Sequence, residues 1–184
     1  MTVTREEWKN KLDIFEFNRI ARRKQRDESN KPIKDKKHPY QKFISKIYIG
    51  ETLLDVGCGN TNLRKVLPKS VQYTGIDPLP IVDGVTNVMI EEYKAPDKSF
   101  CTVVCLAALD HVMDLKVALK QMNRIAKKNI IILTSIDAKP NDDHTHLVSE
   151  KDLRKGLYDF RLKRRIRFND GAFVYDFHRK DTGK

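Results

Sequence analysis

The stretch Thr52-Leu53-Leu54-Asp55-Val56-Gly57-Cys58-Gly59-Asn60 constrains this chain more than any other. Its apolar half reads as a short buried strand, and its glycines break that strand into a tight turn that opens a helix at about Thr61. Glycine suits a turn that needs positive φ, and it lets a ligand approach the backbone where a Cβ would intrude. A second apolar run, Val71 to Ile76, ends at Asp77, 18 residues after Gly59. An acid about 20 residues beyond a glycine turn is placed to accept hydrogen bonds from both hydroxyls of a ribose. A nucleoside-shaped ligand therefore fits. A nicotinamide dinucleotide fits worse: that fingerprint wants Gly or Ala where Asn62 stands, and it gains nothing from an acid at Asp55. The 184 residues also leave no room for a separate substrate domain.

Taken in order, the chain predicts a helix over residues 4–26, with Thr4 and Glu7 as a capping box and Trp8, Leu12 and Phe15 on one stripe, widened by Ile14, Phe17 and Ala21. Its far end, Arg22, Arg23, Lys24 and Arg26, is basic. Residues 27–39 are polar with two prolines and read as a mobile linker. A second helix is expected over Tyr40 to Ile49. Beyond the glycine turn come a crossover helix from Asn62 to Leu67, stopped by Pro68, and strands ending at Asp77, over Val85 to Ile90, over Phe100 to Leu106 and over Ile130 to Leu133. The unbroken apolar run of Phe100 to Leu106 suits a strand buried on both faces. Asp114 caps a helix lined by Leu115, Ala118, Met122 and Ile125, and Ser149 with Asp152 caps another that runs to about Tyr158. Strands alternating with helices imply a parallel sheet with ligands at its carboxyl edge.

The tail differs. Arg161 to Phe168 and Ala172 to Arg179 alternate around Asp170-Gly171, which predicts a hairpin. On its first strand Leu162, Ile166 and Phe168 take one face, interrupted by Arg164, and Arg161, Lys163, Arg165 and Arg167 take the other.

The segments Asp55-Val56-Gly57-Cys58-Gly59, Gly75-Ile76-Asp77, Ser99-Phe100 and Val103 to Val112 together resemble the class I S-adenosylmethionine-dependent methyltransferases, over about residues 50 to 160. The resemblance implies an α/β fold, Rossmann-like and doubly wound, with a mostly parallel seven-stranded sheet ending in an antiparallel hairpin. It implies S-adenosylmethionine as cofactor, residues 1–49 as N-terminal helices and linker forming a lid or substrate side, and residues 50–184 as the cofactor-binding domain of a single globular unit. Asp55, Gly57, Cys58, Gly59 and Asn60 would cradle the methionine part, and Asp77 would hold the ribose. The position of the family's adenine-facing acid falls near Met89, so Glu91 or Glu92 takes that role, and Leu106 lies at the same edge. The third glycine of the family turn is Thr61 here.

Methyl transfer from a sulfonium is an in-line displacement in which the protein aligns the acceptor, excludes water and removes a proton where the acceptor needs it. Asp110 and His111 after the fourth strand, and His144 and His146 after the fifth, are the candidate catalytic residues, histidine being the usual base near neutral pH. A structural role for His111, and a metal site of His144 and His146 with Asp142 and Asp143, are the alternatives. No Asn-Pro-Pro-Tyr, Asp-Pro-Pro-Tyr or Pro-Cys follows the fourth strand. That argues against exocyclic base amines and against carbon 5 of cytosine, and leaves an O or N acceptor of unknown identity.

Charge sharpens the question of partners. Residues 1–50 hold 14 Lys and Arg against 7 Asp and Glu, residues 51–150 hold 11 against 13, and residues 151–184 hold 11 against 5, so the excess of +11 sits on the flanks. Basic flanks suit a nucleic acid held across them, and equally a guarded sheet edge. A catalytically inactive cofactor-binding protein, or a basic nucleic-acid-binding protein of the same fold, is the rival function. The apolar runs are too short to span a bilayer, and three cysteines form no disulfide or zinc spacing, so a cytoplasmic protein without membrane partner is expected.

Overall fold

A computed structural model of the 184-residue chain describes residues 4–15, 47, 49–80, 82–136, 144–169 and 171–181. Helix α1 covers residues 5–15. Its capping box forms as the sequence implies, with the Thr4 hydroxyl accepting from the Glu7 amide and the Glu7 carboxylate accepting from the Thr4 amide. Trp8 and Leu12 are buried, but Ile14 points outward, 41% exposed, so the apolar stripe is narrower than expected. The basic segment at residues 22–26, the linker, most of the expected second helix, and Asp142 and Asp143 lie outside the described residues.

The rest builds one sheet: β1 (Thr52–Val56), β2 (Gln72–Asp77), β3 (Thr86–Asn87), β4 (Phe100–Leu106), β5 (Ala126–Ser135), β6 (Phe160–Asn169) and β7 (Ala172–Arg179), with helices α2 (Leu115–Ile125) and α3 (Glu150–Gly156). The strand order is β3-β2-β1-β4-β5-β7-β6. β1 pairs in parallel with β2 and β4, β4 with β5, and the hairpin β6-β7 joins β5 antiparallel. This is the doubly wound, seven-stranded sheet with a terminal hairpin that the motif order implied. Its core has two layers because successive residues of a strand face opposite sides. Leu54, Val103 and Ile132 pack with Leu119, Met122 and Leu153 on one face, and Leu53, Val104 and Ile131 pack with Ile49 and Leu63 on the other.

Both later caps form. The Asp114 carboxylate accepts from the Lys116 and Val117 amides at 2.9 and 3.1 Å, and Ser149 with Asp152 makes a reciprocal box. Local differences have local causes. The β1–β2 crossover is only a 3-10 turn, Arg64–Val66, because positive φ at Thr61 and the proline at 68 leave too few residues to nucleate an α-helix. β3 shrinks to two residues, after which Met89 turns in against Trp8 and Leu12 while Ile90 joins the main core. β5 is longer than its apolar run because α2 passes straight into it at Ala126.

The edge strand β6 carries a correction. A register shift between Leu162 and Arg164 inserts Lys163 as a bulge, so the residues after it change face. Leu162 therefore packs into the helix-covered core, whereas Ile166 packs into the opposite one. Arg164 follows Ile166 onto that second face, where its Nε and Nη2 donate to Asp176 Oδ2 at 3.0 and 2.8 Å. Asp176 is wholly buried, and the third member of the group, His178, stands 3.1 Å from its other oxygen. Replacing one partner of a buried pair leaves an uncompensated charge. Arg164→Leu should cost about 3 kcal/mol in urea unfolding, near the low end for such pairs because the guanidinium is partly solvated, and the double variant with Asp176→Asn should recover part of that loss.

Candidate cofactor and acceptor site

The site begins where β1 ends. Gly57 and Gly59 take φ of +68° and +51°, and the amides of Gly57 and Cys58 both donate to the Ile76 carbonyl at 2.9 and 3.2 Å. The turn thus folds back onto β2 and is locked there by Asp77. Gly59 N–H donates to Asp77 Oδ2 at 2.9 Å and Leu79 N–H to Oδ1 at 2.8 Å. The two glycines differ in purpose. A Cβ on Gly59 would meet nothing within 4 Å, so this is where a ligand can lie against the backbone. A Cβ on Gly57 would fall 2.3 Å from the Ala108 Cβ. Gly57 therefore makes room for the loop after β4, while its backbone lines the cleft.

A cleft of two lobes runs over this turn, with Gly57, Gly59 and Ala107 common to both. The first lobe is lined by Asp55, Cys58, Asn60 and Leu106. Asp55 is 3% exposed, and its Oδ2 accepts from the Tyr73 hydroxyl at 2.7 Å. Burial pushes its carboxyl from the ordinary 3.8 up to about 7, with Tyr73 opposing that rise and the Asp77 charge adding to it. Burial, with Asp55 and Asp77 nearby, lifts the Cys58 thiol to about 12, which makes it inert as a nucleophile. The second lobe is mostly apolar, with Ile76, Val88 and Met89 on the sheet side and Trp8, Leu12 and Phe15 of α1 across it. Asp77, Glu91 and His111 supply its polar groups.

The two candidate adenine acids separate. Glu91 lines the second lobe, but its Oε1 takes the Met113 and Asp114 amides at 2.8 and 3.1 Å, and burial raises its pKa. Glu92 does not reach the cleft; it pairs with Arg5 of α1 at 3.1 Å on the surface. The histidines separate as well. Thr145 ties the loop after β5 to the loop after β4, its amide and hydroxyl both donating to the Asp110 carbonyl at 2.8 Å and its hydroxyl also reaching the Val112 carbonyl. This tie aims His144 one way and His146 the other. His144 Nε2 lies 3.4 Å from Asp110 Oδ2, and its ring centroid is 4.7 Å from that of His111. His146 Nε2 instead meets the Met113 carbonyl at 3.2 Å, so it braces the loop and leaves the cluster to the other three. Phe15 stacks at a tilt on His111, centroids 4.3 Å apart, and the Trp8 indole donates to the His111 carbonyl at 2.8 Å. Tyr73 and Thr145 carry no motif, and nothing in the sequence marks them.

Residues 14–172 match the family profile described as a methyltransferase domain. Among solved structures, an S-adenosylmethionine-dependent methyltransferase from Aquifex aeolicus is similar at 17% identity with a TM-score of 0.59, over 78% of this chain and 90% of that one. The magnesium protoporphyrin IX methyltransferase of Synechocystis, with bound S-adenosylmethionine, gives 18%, 0.56, and coverage of 77% and 80%. The 1,6-didemethyltoxoflavin-N1-methyltransferase of Burkholderia thailandensis, with its substrate and S-adenosylhomocysteine bound, gives 14%, 0.60, and 78% of each chain. No curated protein sequence matches the chain.

Two outcomes follow from this geometry. Both glycines sit in left-handed conformation, so Gly59→Ala should cost about 1 kcal/mol, whereas Gly57→Ala adds the overlap with Ala108 and should cost about 2–4 kcal/mol by chemical denaturation. The second concerns Asp55. Because its folded pKa lies above its unfolded one, the folded state holds the proton more tightly, and stability falls as pH rises from about 4 to about 7. Asp55→Asn has no such charge to bury. Its stability relative to the wild type should therefore rise by about 2–3 kcal/mol between about pH 5 and about pH 8, measured by urea unfolding across that range.

Proposed function

The chain belongs to the class I S-adenosylmethionine-dependent methyltransferases, and from that premise we propose that it is an active enzyme that methylates an oxygen or nitrogen acceptor. The observation that carries this reading is the cleft itself: a ligand-accessible glycine turn between Asp55 in one lobe and Asp77 in the other, with an Asp-His-His cluster that reaches it through His111. The residues present fit the cofactor. Gly59 leaves its side of the turn open, a buried acid at Asp55 meets a neutral hydroxyl and no cation among the described residues, and the second lobe is apolar enough for a purine.

When bound, S-adenosylmethionine supplies an electrophilic methyl on a sulfonium that departs as a neutral thioether. Asp55 would face the methionine ammonium, and a cation there favours its ionised form, so the same charge that costs stability alone becomes the recognition element. Asp77 would accept from the ribose hydroxyls with the lone pairs that Gly59 and Leu79 leave over. Glu91 would hold the loop against the purine side, and Glu92 has no part. Trp8, Leu12 and Phe15 would close the lobe and keep water from the reacting carbon. Asp110, His111 and His144 would stand on the acceptor side of the cleft, where the acceptor's proton is lost. The basic flanks are in part engaged within the fold, Arg164 with Asp176 and Arg165 with Glu150 and the Phe173 ring. A nucleic-acid acceptor would rest on what is left, such as the exposed Arg161 and Lys163 of β6.

Titration calorimetry should show that S-adenosylmethionine and S-adenosylhomocysteine both bind, and Asp77→Ala should weaken each by about 1–3 kcal/mol. Absence of binding by the intact protein would defeat the reading. Labelled methyl transfer screened over RNA, DNA, protein and small-molecule pools then identifies the acceptor, and transfer to none of them would favour the inactive cofactor-binding alternative.

A further inference from the structure

We propose that Asp110, His111 and His144 form a binding site for one divalent first-row cation of the zinc class, placed to acidify the methyl acceptor. The proposal rests on the reading of the cleft as a methyltransferase site. Three observations support it. The three side chains each offer a ligand atom, and these atoms all lie within 4.8 Å of one another. A tetrahedral ion with bonds of about 2.1 Å holds its ligand atoms about 3.4 Å apart, which is the Asp110–His144 separation of 3.4 Å, and the His111 ligand atom lies within the same 4.8 Å group. The second Asp110 oxygen, Oδ1, is buried without a hydrogen-bond partner. A buried carboxylate oxygen left unpaired is costly, and a cation is one way to satisfy it.

The donor set selects the ion. Two imidazoles and one carboxylate suit zinc, and also ferrous iron, better than the all-oxygen shells of magnesium or calcium. Among the described residues the ligands are three, and a three-ligand site keeps a fourth position, as catalytic rather than structural sites do. Because His111 also lines the second lobe, that position opens toward the cleft. Lys11 steadies the arrangement from α1, its Nζ donating to the His144 carbonyl at 3.4 Å. An acceptor hydroxyl or amine on the ion loses its proton to water more readily. Its lone pair then forms the bond to the methyl carbon, while the carbon–sulfur bond breaks with its electron pair on sulfur. Atoms and charge balance without a further reactant.

The test uses the full chain, stripped with chelator and titrated with zinc or cobalt(II) alone, with no methyl donor. One ion should bind, and the cobalt form should show the visible absorption of a low-coordinate site. Asp110→Asn and His144→Ala should each weaken binding tenfold or more. His178→Gln, on β7 and away from the cleft, should leave it unchanged. Binding of S-adenosylhomocysteine by the same variants shows that they are folded. Cofactor binding without metal binding, or metal binding that survives both variants, would overturn the site while leaving the methyltransferase reading intact. Metal binding without cofactor binding would overturn the methyltransferase reading and with it the ion's role toward a methyl acceptor.

Discussion

The Asp77 carboxylate is the contact on which the site depends. It closes β2 and clamps the glycine turn that closes β1, taking one amide from each side. Parallel strands put their carboxyl ends on one edge, but they do not by themselves fix the loops that leave that edge. Asp77 fixes the most important one. With the turn held, Ala108 can pack where Gly57 has no side chain, and the loop after β4 inherits its position from β1. Ala107, at φ 56°, and its amide bond to the Leu133 carbonyl carry that position on to β5. Positive φ in a residue with a Cβ is the kind of strain that persists only where surrounding structure overdetermines it.

Two buried carboxylates show how the same problem is solved for different ends. Asp176 has a cation built in, since Arg164 reaches it through both Nε and Nη2. Among the described residues Asp55 has the Tyr73 hydroxyl and no cation, and its carboxyl is pushed up to about 7. One group is complete in the folded chain. The other is left uncompensated, at the place where the cofactor's ammonium is proposed to lie, which is the expected signature of a binding site rather than of a structural ion pair.

Around this frame helix α1 is less firmly held. Helix α1 contributes Trp8 and Leu12 to a small separate cluster with Met89, tied to the domain by the Trp8 indole, the Arg5–Glu92 pair and Lys11. Elements with few buried contacts open at lower free energy than the core, which suits a segment that must admit a ligand. Asp110, His111 and His144 sit between this helix and the two loops tied by Thr145.

What the sequence determined by itself was whatever depends on neighbours along the chain. The buried run of β4, the hairpin signal at residues 170–171, the caps at Asp114 and Ser149 and the spacing from Gly59 to Asp77 are local signals, and they placed the sheet. Tertiary structure decided what local signals cannot reach. It sent His144 to Asp110 and His146 to Met113 through a threonine bonded 35 residues away. It put Glu91 in the cleft and Glu92 on the surface, although the two are adjacent. It gave Gly57 to Ala108, and it turned Arg164 inward by a one-residue bulge. The physical reason is shared. Along a strand or a tight loop a shift of one residue reverses the direction of a side chain, and that shift is set by contacts between segments that are distant in sequence.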